Sequence, residues 1–163
     1  MAKNNENIRV LERSKYIPVH LVATANHYLR GASKIYRRLF GLGIIEWRIL
    51  SMSLIGGQVS ANDICNAINL DKASASRSVQ KLKSLGYIKL FSDVNDKRKN
   101  LVSLTPLGIE IHDKILDVAL AREEDFMAGF TTQEKKTLIK LLNKMDANFL
   151  NIDETKYDHL VNK

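Results

Sequence analysis

The chain has 163 residues, enough for one domain with its own core, and its apolar fraction of 45% is ordinary for a globular protein. A formal net charge of +7 favours an anionic partner such as nucleic acid, a membrane surface or an acidic protein. The single cysteine, Cys65, excludes an intramolecular disulfide and therefore a stapled secreted fold. The sequence shows neither a signal-peptide pattern nor an apolar run near the ~18 residues of a membrane span. We therefore expect a cytoplasmic protein with no membrane partner.

Two helices are predicted first in the chain. From Tyr16 to Leu39, apolar residues recur at three- and four-residue steps, which is the period of a helix with one apolar face. Pro18 lies near the start of this helix, where proline is tolerated, and the sequence GLG ends it. The run IIEWRILSMSL, which begins at Ile44, predicts a second helix that ends at a pair of glycines.

A helix-turn-helix is predicted in the middle of the chain. Ser60 stands three residues before Asp63, a spacing that predicts the N-cap of a short helix through Ala67. Asp71 is the predicted cap of the next helix, KASASRSVQKLKSLG, and Gly86 is its expected C′ residue. Two helices joined by a short break are typical of DNA-binding folds.

The period changes after Gly86 to that of β-structure. The runs YIKLF and LVSLT predict a two-stranded hairpin, and the charged segment SDVNDKRKN predicts its tip. Thr105 and Pro106 start a further helix, because threonine caps it and proline needs no N–H at the first position. Thr131 and Glu134 are spaced as a capping box for a last helix. The predicted fold is therefore mostly α with a small β-hairpin.

The segment from Asp93 to Gly108 carries the most specific motif in the chain. The pattern D-x-x-D-x-R-x-x-x-V-x-L-T-x-x-G is matched in register by Asp93, Asp96, Arg98, Val102, Leu104, Thr105 and Gly108. In this motif, in the segment ANDICNAINLDKASASRSVQKLKSLGYI and in element order from Pro18 to Phe149, the chain resembles the MarR family of winged-helix transcriptional regulators. Val94 and Lys97 depart from the family pattern, which commonly has proline and arginine there.

The resemblance implies an architecture and a function. It implies a single domain over residues 1–163, with a winged helix-turn-helix lobe at 44–105 and flanking dimerisation helices at 16–40 and 106–150. The outer helices carry more apolar surface than the small middle lobe can cover, which also favours a homodimer. We expect a repressor that binds double-stranded DNA at a pseudo-palindromic operator and is released by a small aromatic or carboxylate effector. No cofactor is expected.

The second helix of the helix-turn-helix is predicted to lie in the major groove as a recognition helix. Its polar side chains suit base edges and phosphates, since arginine pairs with guanine and glutamine with adenine. These side chains are Lys72, Ser74, Ser76, Arg77, Gln80 and Lys81. Val79, Leu82 and Leu85 are expected to form the buried side of the helix. A solvated helix face carries similar residues, so the helix-turn-helix context favours the DNA interpretation.

The hairpin tip is predicted to be a wing that reaches the minor groove. Arg98 suits this narrow groove because the potential there is most negative. Asp96 is expected to orient the guanidinium by a charge-assisted hydrogen bond, and Lys97 and Lys99 are expected to contact phosphates. The alternative is a solvated turn of mixed charge, against which the matched strands argue. Residues 60–105 carry eight basic and four acidic side chains, a balance expected of a salt-sensitive DNA surface.

An effector region between the first two helices is implied by the resemblance. Arg30 or Arg48 is expected to pair with a carboxylate, and Trp47 and Met52 are expected to form an apolar wall. The predicted set is His20, Arg30, Trp47, Arg48, Ser51 and Met52. In the alternative interpretation, Trp47 and Met52 belong to the core and Arg48 forms an intersubunit ion pair.

Other classes of protein fit the sequence less well. No Ser/His/Asp set, phosphate loop or CxxC motif is present, so an enzyme is not expected. No metal site is expected either, because His20 and His27 lie two turns apart on one helix. Cys65 is predicted to be a buried core residue, with a redox-responsive regulator as the alternative. A ligand-independent regulator and a winged-helix protein-interaction module, which would lack salt-dependent DNA affinity, are the remaining alternatives.

Overall fold

The computed structural model describes residues 10–55, 59–60, 63–64, 71–93 and 100–161. The helices are α1 (Ile17–Phe40), α2 (Ile44–Ile55), α3 (Lys72–Ser84), α4 (Pro106–Phe126) and α5 (Thr132–Phe149). The strands are β1 (Val59–Ser60), β2 (Ile88–Ser92) and β3 (Asn100–Leu104), and a 3-10 helix covers Glu154–Leu160. The predicted fold class, mostly α with a small β-hairpin, is confirmed. The chain divides into two compact units, Met1–Ala119 and Leu120–Lys163.

The predicted hairpin is part of a three-stranded antiparallel sheet in the order β1–β3–β2. Strands β2 and β3 pair from Ile88 and Leu104 at one end to Ser92 and Asn100 at the other. Strand β1 pairs with the other edge of β3 and was missed by the sequence prediction of two strands. It has only two residues, and so short a run shows no alternation of apolar and polar positions. Pairing with β3 alone makes it a strand.

The ends of the helix-turn-helix follow the predicted capping signals. The carboxylate of Asp71 accepts a hydrogen bond from the backbone N–H of Ser74 at 2.9 Å, which caps α3. Ser60 Oγ accepts from the N–H of Asp63 at 3.0 Å, as predicted for the preceding short helix. Only residues 63–64 of that helix are described. Gly86 has φ +74 directly after the α3 cap, which suits its expected C′ position.

A continuous hydrophobic core lies within the first unit. Its fully buried large side chains come from α1, the α1–α2 turn, α2, the short helix, α3, β3 and α4, and they are Tyr36, Leu42, Ile49, Leu50, Ile64, Leu82, Val102 and Ile115. Val79 is buried with Leu82, as predicted for α3. Leu85 is 43% exposed, so the prediction that it is buried was wrong. This residue is the C-terminal cap of α3, where the helix ends and the chain turns into Gly86.

Apolar side chains are exposed over much of α1 and α5. In α1, only Ala32 and Tyr36 are buried, and both lie in the C-terminal half of the helix. In the second unit, α5 has no buried residue, and its exposed apolar side chains are Leu138, Ile139, Leu141, Leu142 and Phe149. The predicted capping box between Thr131 and Glu134 starts α5. Helix α5 therefore has a side-chain cap at its N-terminus, whereas its apolar face is exposed.

Candidate nucleic-acid interface

Helix α3 has one buried face and one exposed face. Ala75, Ser78, Val79 and Leu82 are buried against the first unit. Of the predicted recognition residues, Ser76, Arg77, Gln80 and Lys81 are exposed and Ser74 is partly exposed, while the side chain of Lys72 lies outside those described. The α3 periodicity thus places these polar side chains together on the side away from the core.

Arg77 is held at the N-terminal end of the exposed face. Its Nη2 donates to Ser74 Oγ at 2.9 Å, one turn earlier in the helix. The pKa of Asp71 lies below its ordinary value, chiefly because the backbone N–H of Ser74 donates to the carboxylate, and then because of the Ser74 hydroxyl and the nearby Arg77 charge. The cap, the serine and the arginine therefore form one local polar cluster on α3.

Lys81 is tied to α1 by its ammonium group. Its Nζ donates to the carbonyl oxygen of Gly41 at 2.7 Å. Gly41 is the C-terminal cap of α1 and has φ +69, which favours glycine. A cation at the carbonyl end of a helix is also favoured by the helix dipole. The structure thus gives Lys81 a contact within the protein.

Glu46 links α2 with α3 and was not predicted from the sequence. One carboxylate oxygen accepts the backbone N–H of Gly43 at 2.8 Å, and the other accepts the hydroxyl of Ser78 at 2.9 Å. Burial raises the pKa of Glu46, but its own backbone N–H, Ser78, Gly43 and the charge of Lys81 together hold it below its ordinary value. The three-residue spacing from Gly43 to Glu46 resembles half of a capping box and was the available local signal. No local signal indicated Ser78 as the partner.

The base of the predicted wing is fastened to the end of α3. Thr105 Oγ1 donates to the carbonyl of Gly86 at 2.7 Å and accepts the N–H of Gly108 at 3.0 Å. A Cβ at Gly108 would overlap the backbone carbonyl of Tyr87, so only glycine fits there without movement. Two residues of the sequence motif thus have a structural role. The predicted tip residues Asp96, Lys97, Arg98 and Lys99 lie outside the described residues.

A cleft of about 360 Å³ lies between α1 and α2. It is lined by Ala25, Tyr28, Leu29, Ile44, Trp47 and Arg48. Two of the six predicted effector residues, Trp47 and Arg48, are therefore brought together at one cavity. Trp47 is only 9% exposed and also stacks on the His112 ring, with 5.0 Å between ring centroids. Trp47 consequently belongs both to the core and to the wall of the cleft.

The other four predicted effector residues are not among those that line this cleft. His20 is exposed, and its Nε2 lies 2.9 Å from the carbonyl oxygen of Ser14. Arg30 is exposed, whereas Met52 packs against the core of the first unit. The hydroxyl of Ser51 is buried and has no hydrogen-bond partner among the residues that the structure describes.

Neither a metal cluster nor a membrane-spanning helix is present in the described part of the chain. Over these residues, His, Cys, Asp and Glu side chains do not gather in a group of three or more that would hold a metal ion. None of the helices over the same residues combines the length and apolarity needed to cross a bilayer. Cys65, the candidate for redox chemistry, lies outside the described residues.

Comparison with known proteins places this geometry in a family. A model of the MarR family matches residues 40–99. A crystal structure of a MarR/EmrR family transcriptional regulator from Acinetobacter sp. ADP1 is 30% identical, with a TM-score of 0.80 over 87% of this chain and 100% of that chain. The transcriptional repressor NicR of Pseudomonas putida is 24% identical over 78% of this chain and 85% of NicR.

A fourth comparison concerns a DNA complex. A mutant MarR from E. coli, crystallised with operator DNA, has the same fold, with 20% identity and a TM-score of 0.71 over 84% of this chain and 99% of that one. The match to the Acinetobacter regulator, which covers 87% of this chain, extends beyond residues 40–99, the segment that the family model matches. The chain thus belongs to the MarR family and is a winged-helix transcriptional regulator rather than an enzyme.

Proposed function

We propose that this protein is a homodimeric repressor that binds a pseudo-palindromic operator and is released by a small aromatic or carboxylate effector. The observation that carries the proposal is the exposed face of α3. Arg77 and Gln80 lie on it three residues apart, while Val79 and Leu82 hold the opposite face in the core. An ordered basic and polar helix face on a winged-helix fold suits the major groove.

The proposed DNA contacts divide between the helix and the wing. In the major groove, Arg77 binds guanine and Gln80 binds adenine, and the remaining side chains contact phosphates or the groove wall. The proposed helix contacts are Lys72, Ser74, Ser76, Arg77, Gln80 and Lys81. At the wing tip, Arg98 enters the minor groove with Asp96 as its orienting partner, and Lys97 and Lys99 bind phosphates. In a two-fold dimer the half-sites lie about one helical turn, roughly 34–36 Å, apart.

Uncovered apolar surface supports the dimer. Helix α5 has no buried residue, and Val22 and Tyr28 of α1 are 56% and 37% exposed. Apolar helix faces of this kind are stabilised when a second copy covers them. A closed two-fold dimer also presents two recognition helices to the two half-sites of one operator.

The cleft between α1 and α2 supports the effector. Its volume of about 360 Å³ falls within the range of small-molecule sites. Tyr28, Leu29 and Trp47 offer aromatic and apolar walls, and Arg48 offers a cation for a carboxylate. The effector releases DNA only if it binds the DNA-incompetent arrangement more tightly than the competent one. The repressor role is supported by the related NicR, which is a transcriptional repressor.

A binding selection tests the proposed function. Double-stranded sequences are selected from a random library by the wild-type protein, and the affinity of the best duplex is measured at several salt concentrations. Arg77→Ala is expected to weaken binding about 5- to 150-fold, since a bidentate base contact is worth ~1–3 kcal/mol. Lys83→Ala is the matched control, because it removes one exposed cation from the C-terminal end of the same helix.

Two outcomes of this selection would contradict the proposed function. Equal loss of affinity in the Arg77 and Lys83 variants would show a nonspecific charge effect instead of base recognition. Failure to select any duplex would favour the protein-interaction module.

A parallel Arg98→Ala variant is expected to bind the operator more weakly while remaining dimeric, and unchanged affinity at moderate salt would remove the wing from the proposed interface.

A further inference from the structure

The first turn of α2 takes part in two different surfaces. Ile44, Trp47 and Arg48 line the cleft between α1 and α2. Glu46 lies between these residues in the sequence, and its carboxylate contacts Ser78 in the middle of α3. A single helical turn is therefore in contact with the cleft and with the proposed recognition helix.

The carboxylate of Glu46 bridges two parts of the chain, because each of its oxygens accepts a hydrogen bond. One oxygen accepts from the N–H of Gly43, which fixes the side chain to the start of its own helix. The other accepts from Ser78, whose residue is only 6% exposed. One turn further along α3, Lys81 donates to Gly41, just before α2 begins. Helix α3 is thus attached at two points, to the first turn of α2 through Ser78 and to the C-terminal cap of α1 through Lys81.

These contacts resist independent movement of the two helices. Hydrogen bonds weaken steeply beyond ordinary distances, so displacement of the first turn of α2 by about 1 Å relative to α3 would break the 2.9 Å contact. A partly buried carboxylate that loses its donor is costly. When the first turn of α2 shifts, α3 must therefore move with it or the structure must change to a second arrangement.

We propose that Glu46 is a positioning residue that couples occupation of the α1–α2 cleft to the orientation of α3 through Ser78. The inference rests on the proposed function, because it deepens the link between effector and operator. Coupling between two binding sites is reciprocal, so operator binding at α3 must also alter the cleft. This reciprocity allows a test that needs no effector.

Trp47 is the reporter for the test. It is the only tryptophan in the sequence, it lines the cleft, and it follows Glu46 directly. The selected operator duplex is added to saturation and the tryptophan emission of the full-length protein is recorded. Saturation makes the end point independent of any change in DNA affinity. The wild-type protein is expected to change its emission intensity or wavelength when the duplex binds.

Two matched variants separate coupling from general damage. Ser78→Ala removes the link to α3 and leaves the Gly43 contact of Glu46 in place. Ser84→Ala removes a hydroxyl from the same helix that donates only to the carbonyl of Lys81 within α3. We expect Ser78→Ala to reduce the emission change to less than half of the wild-type value and Ser84→Ala to retain it. Circular dichroism confirms that both variants fold.

Glu46→Gln provides a second route if Ser78→Ala fails to fold. Its side chain has the same shape, but one of the two carboxylate oxygens becomes an NH2 group, which can donate to Ser78 Oγ but cannot accept from Gly43. We expect a response between those of the wild type and Ser78→Ala. A wild-type emission unaffected by saturating duplex, or an equal change in Ser78→Ala, would overturn the coupling while leaving operator binding intact. If no duplex binds at all, the proposed function fails first and the coupling fails with it.

Discussion

The two compact units of the chain differ in what they bury. In Met1–Ala119, eight large side chains from several elements are fully buried in one core. In Leu120–Lys163, neither α5 nor the 3-10 helix has a buried residue, although both have side-chain caps at their N-termini. A side-chain cap therefore fixes where a helix starts but does not bury its apolar face. The first unit therefore buries a core within one chain while leaving apolar side chains of α1 exposed, whereas α5 in the second unit has no buried residue.

The largest expected effect tests the core of the first unit. Leu82→Ala is expected to lower the free energy of unfolding by about 2–5 kcal/mol, because it leaves a cavity at a fully buried site. Leu141→Ala in α5 is the matched control, since this leucine is 53% exposed. Urea unfolding at several protein concentrations measures both variants. The loss in Leu82→Ala should persist at every concentration, and a loss below about 1 kcal/mol would contradict the contrast.

The next effect tests the close approach of α4 to the wing base. Gly108→Ala is expected to cost about 1–3 kcal/mol, because its methyl group would overlap the Tyr87 carbonyl and the backbone would have to move. Gly129→Ala in the second unit is the control, since it has open space but a φ of +84. Its cost should be about 1–2 kcal/mol of backbone strain. Thermal unfolding measures the stability of both variants, and a binding titration measures their affinity for the operator. Only Gly108→Ala should also weaken DNA binding.

A third prediction tests whether a second copy covers α5. Leu141→Glu is expected to raise the dimer dissociation constant at least about tenfold, because an unpaired carboxylate would be placed in an apolar contact. Asn143→Glu makes the same change of charge on the same helix at an exposed polar position. Sedimentation over a range of protein concentrations measures the constant. An equal effect of the two substitutions would indicate charge repulsion and contradict an apolar interface at Leu141.

The smallest effect concerns acid. Glu46 in the first unit and Glu134 in the second both have a pKa below the ordinary value of 4.5. Burial raises the pKa of Glu46 but its hydrogen bonds outweigh this, and the Thr131 backbone N–H and hydroxyl lower that of Glu134. A carboxyl with a depressed folded pKa adds stability that is complete above the unfolded pKa and lost as the pH falls through the folded one.

We therefore expect the difference in stability between the wild type and Glu46→Gln to narrow as the pH falls. Near neutral pH, Glu46→Gln should be less stable than the wild type by under about 1 kcal/mol, because the carboxylate is only partly shielded from solvent. The gap should begin to shrink as the pH falls through the ordinary value of 4.5 and should close below the lowered folded pKa, where the carboxyl is protonated in both the folded and the unfolded state. Glu134→Gln should follow the same direction in the second unit. Urea midpoints across this pH range measure the gap, and a constant difference would exclude a role for ionisation.

Local signals account for most of what was predicted correctly about the fold. Asp71 and Thr131 cap the helices that their positions indicated, and Pro106 begins α4. These features depend on residues within one turn, so the sequence displays them directly. Leu85 was predicted wrongly because helical periodicity does not show where a helix stops contacting the core. Strand β1 was missed because its partner β3 is about forty residues away in the chain.

The candidate site also has a part that the sequence predicted and a part that depends on packing. The exposed residues of α3 follow from its periodicity, and their proposed DNA contacts stay predictions. The cleft was harder to predict, because only Trp47 and Arg48 of the six expected residues line it. Tyr28 and Leu29 join them only through the packing of α1 on α2, and that packing also leaves His20 and Arg30 exposed. Residue chemistry alone did not distinguish between these positions on one amphipathic helix.

The order of the α-helices and of the two hairpin strands, the helix caps and the motif from Asp93 to Gly108 could be read from the sequence, because each depends on neighbouring residues. The packing of the fold is what brings Glu46 to Ser78 and Lys81 to Gly41, across 32 and 40 residues of chain. It also decided why residue 108 is glycine, because the Tyr87 carbonyl packs against it. Such contacts arise when separate helices and strands pack on a shared core, and no local pattern specifies which side chains will meet there.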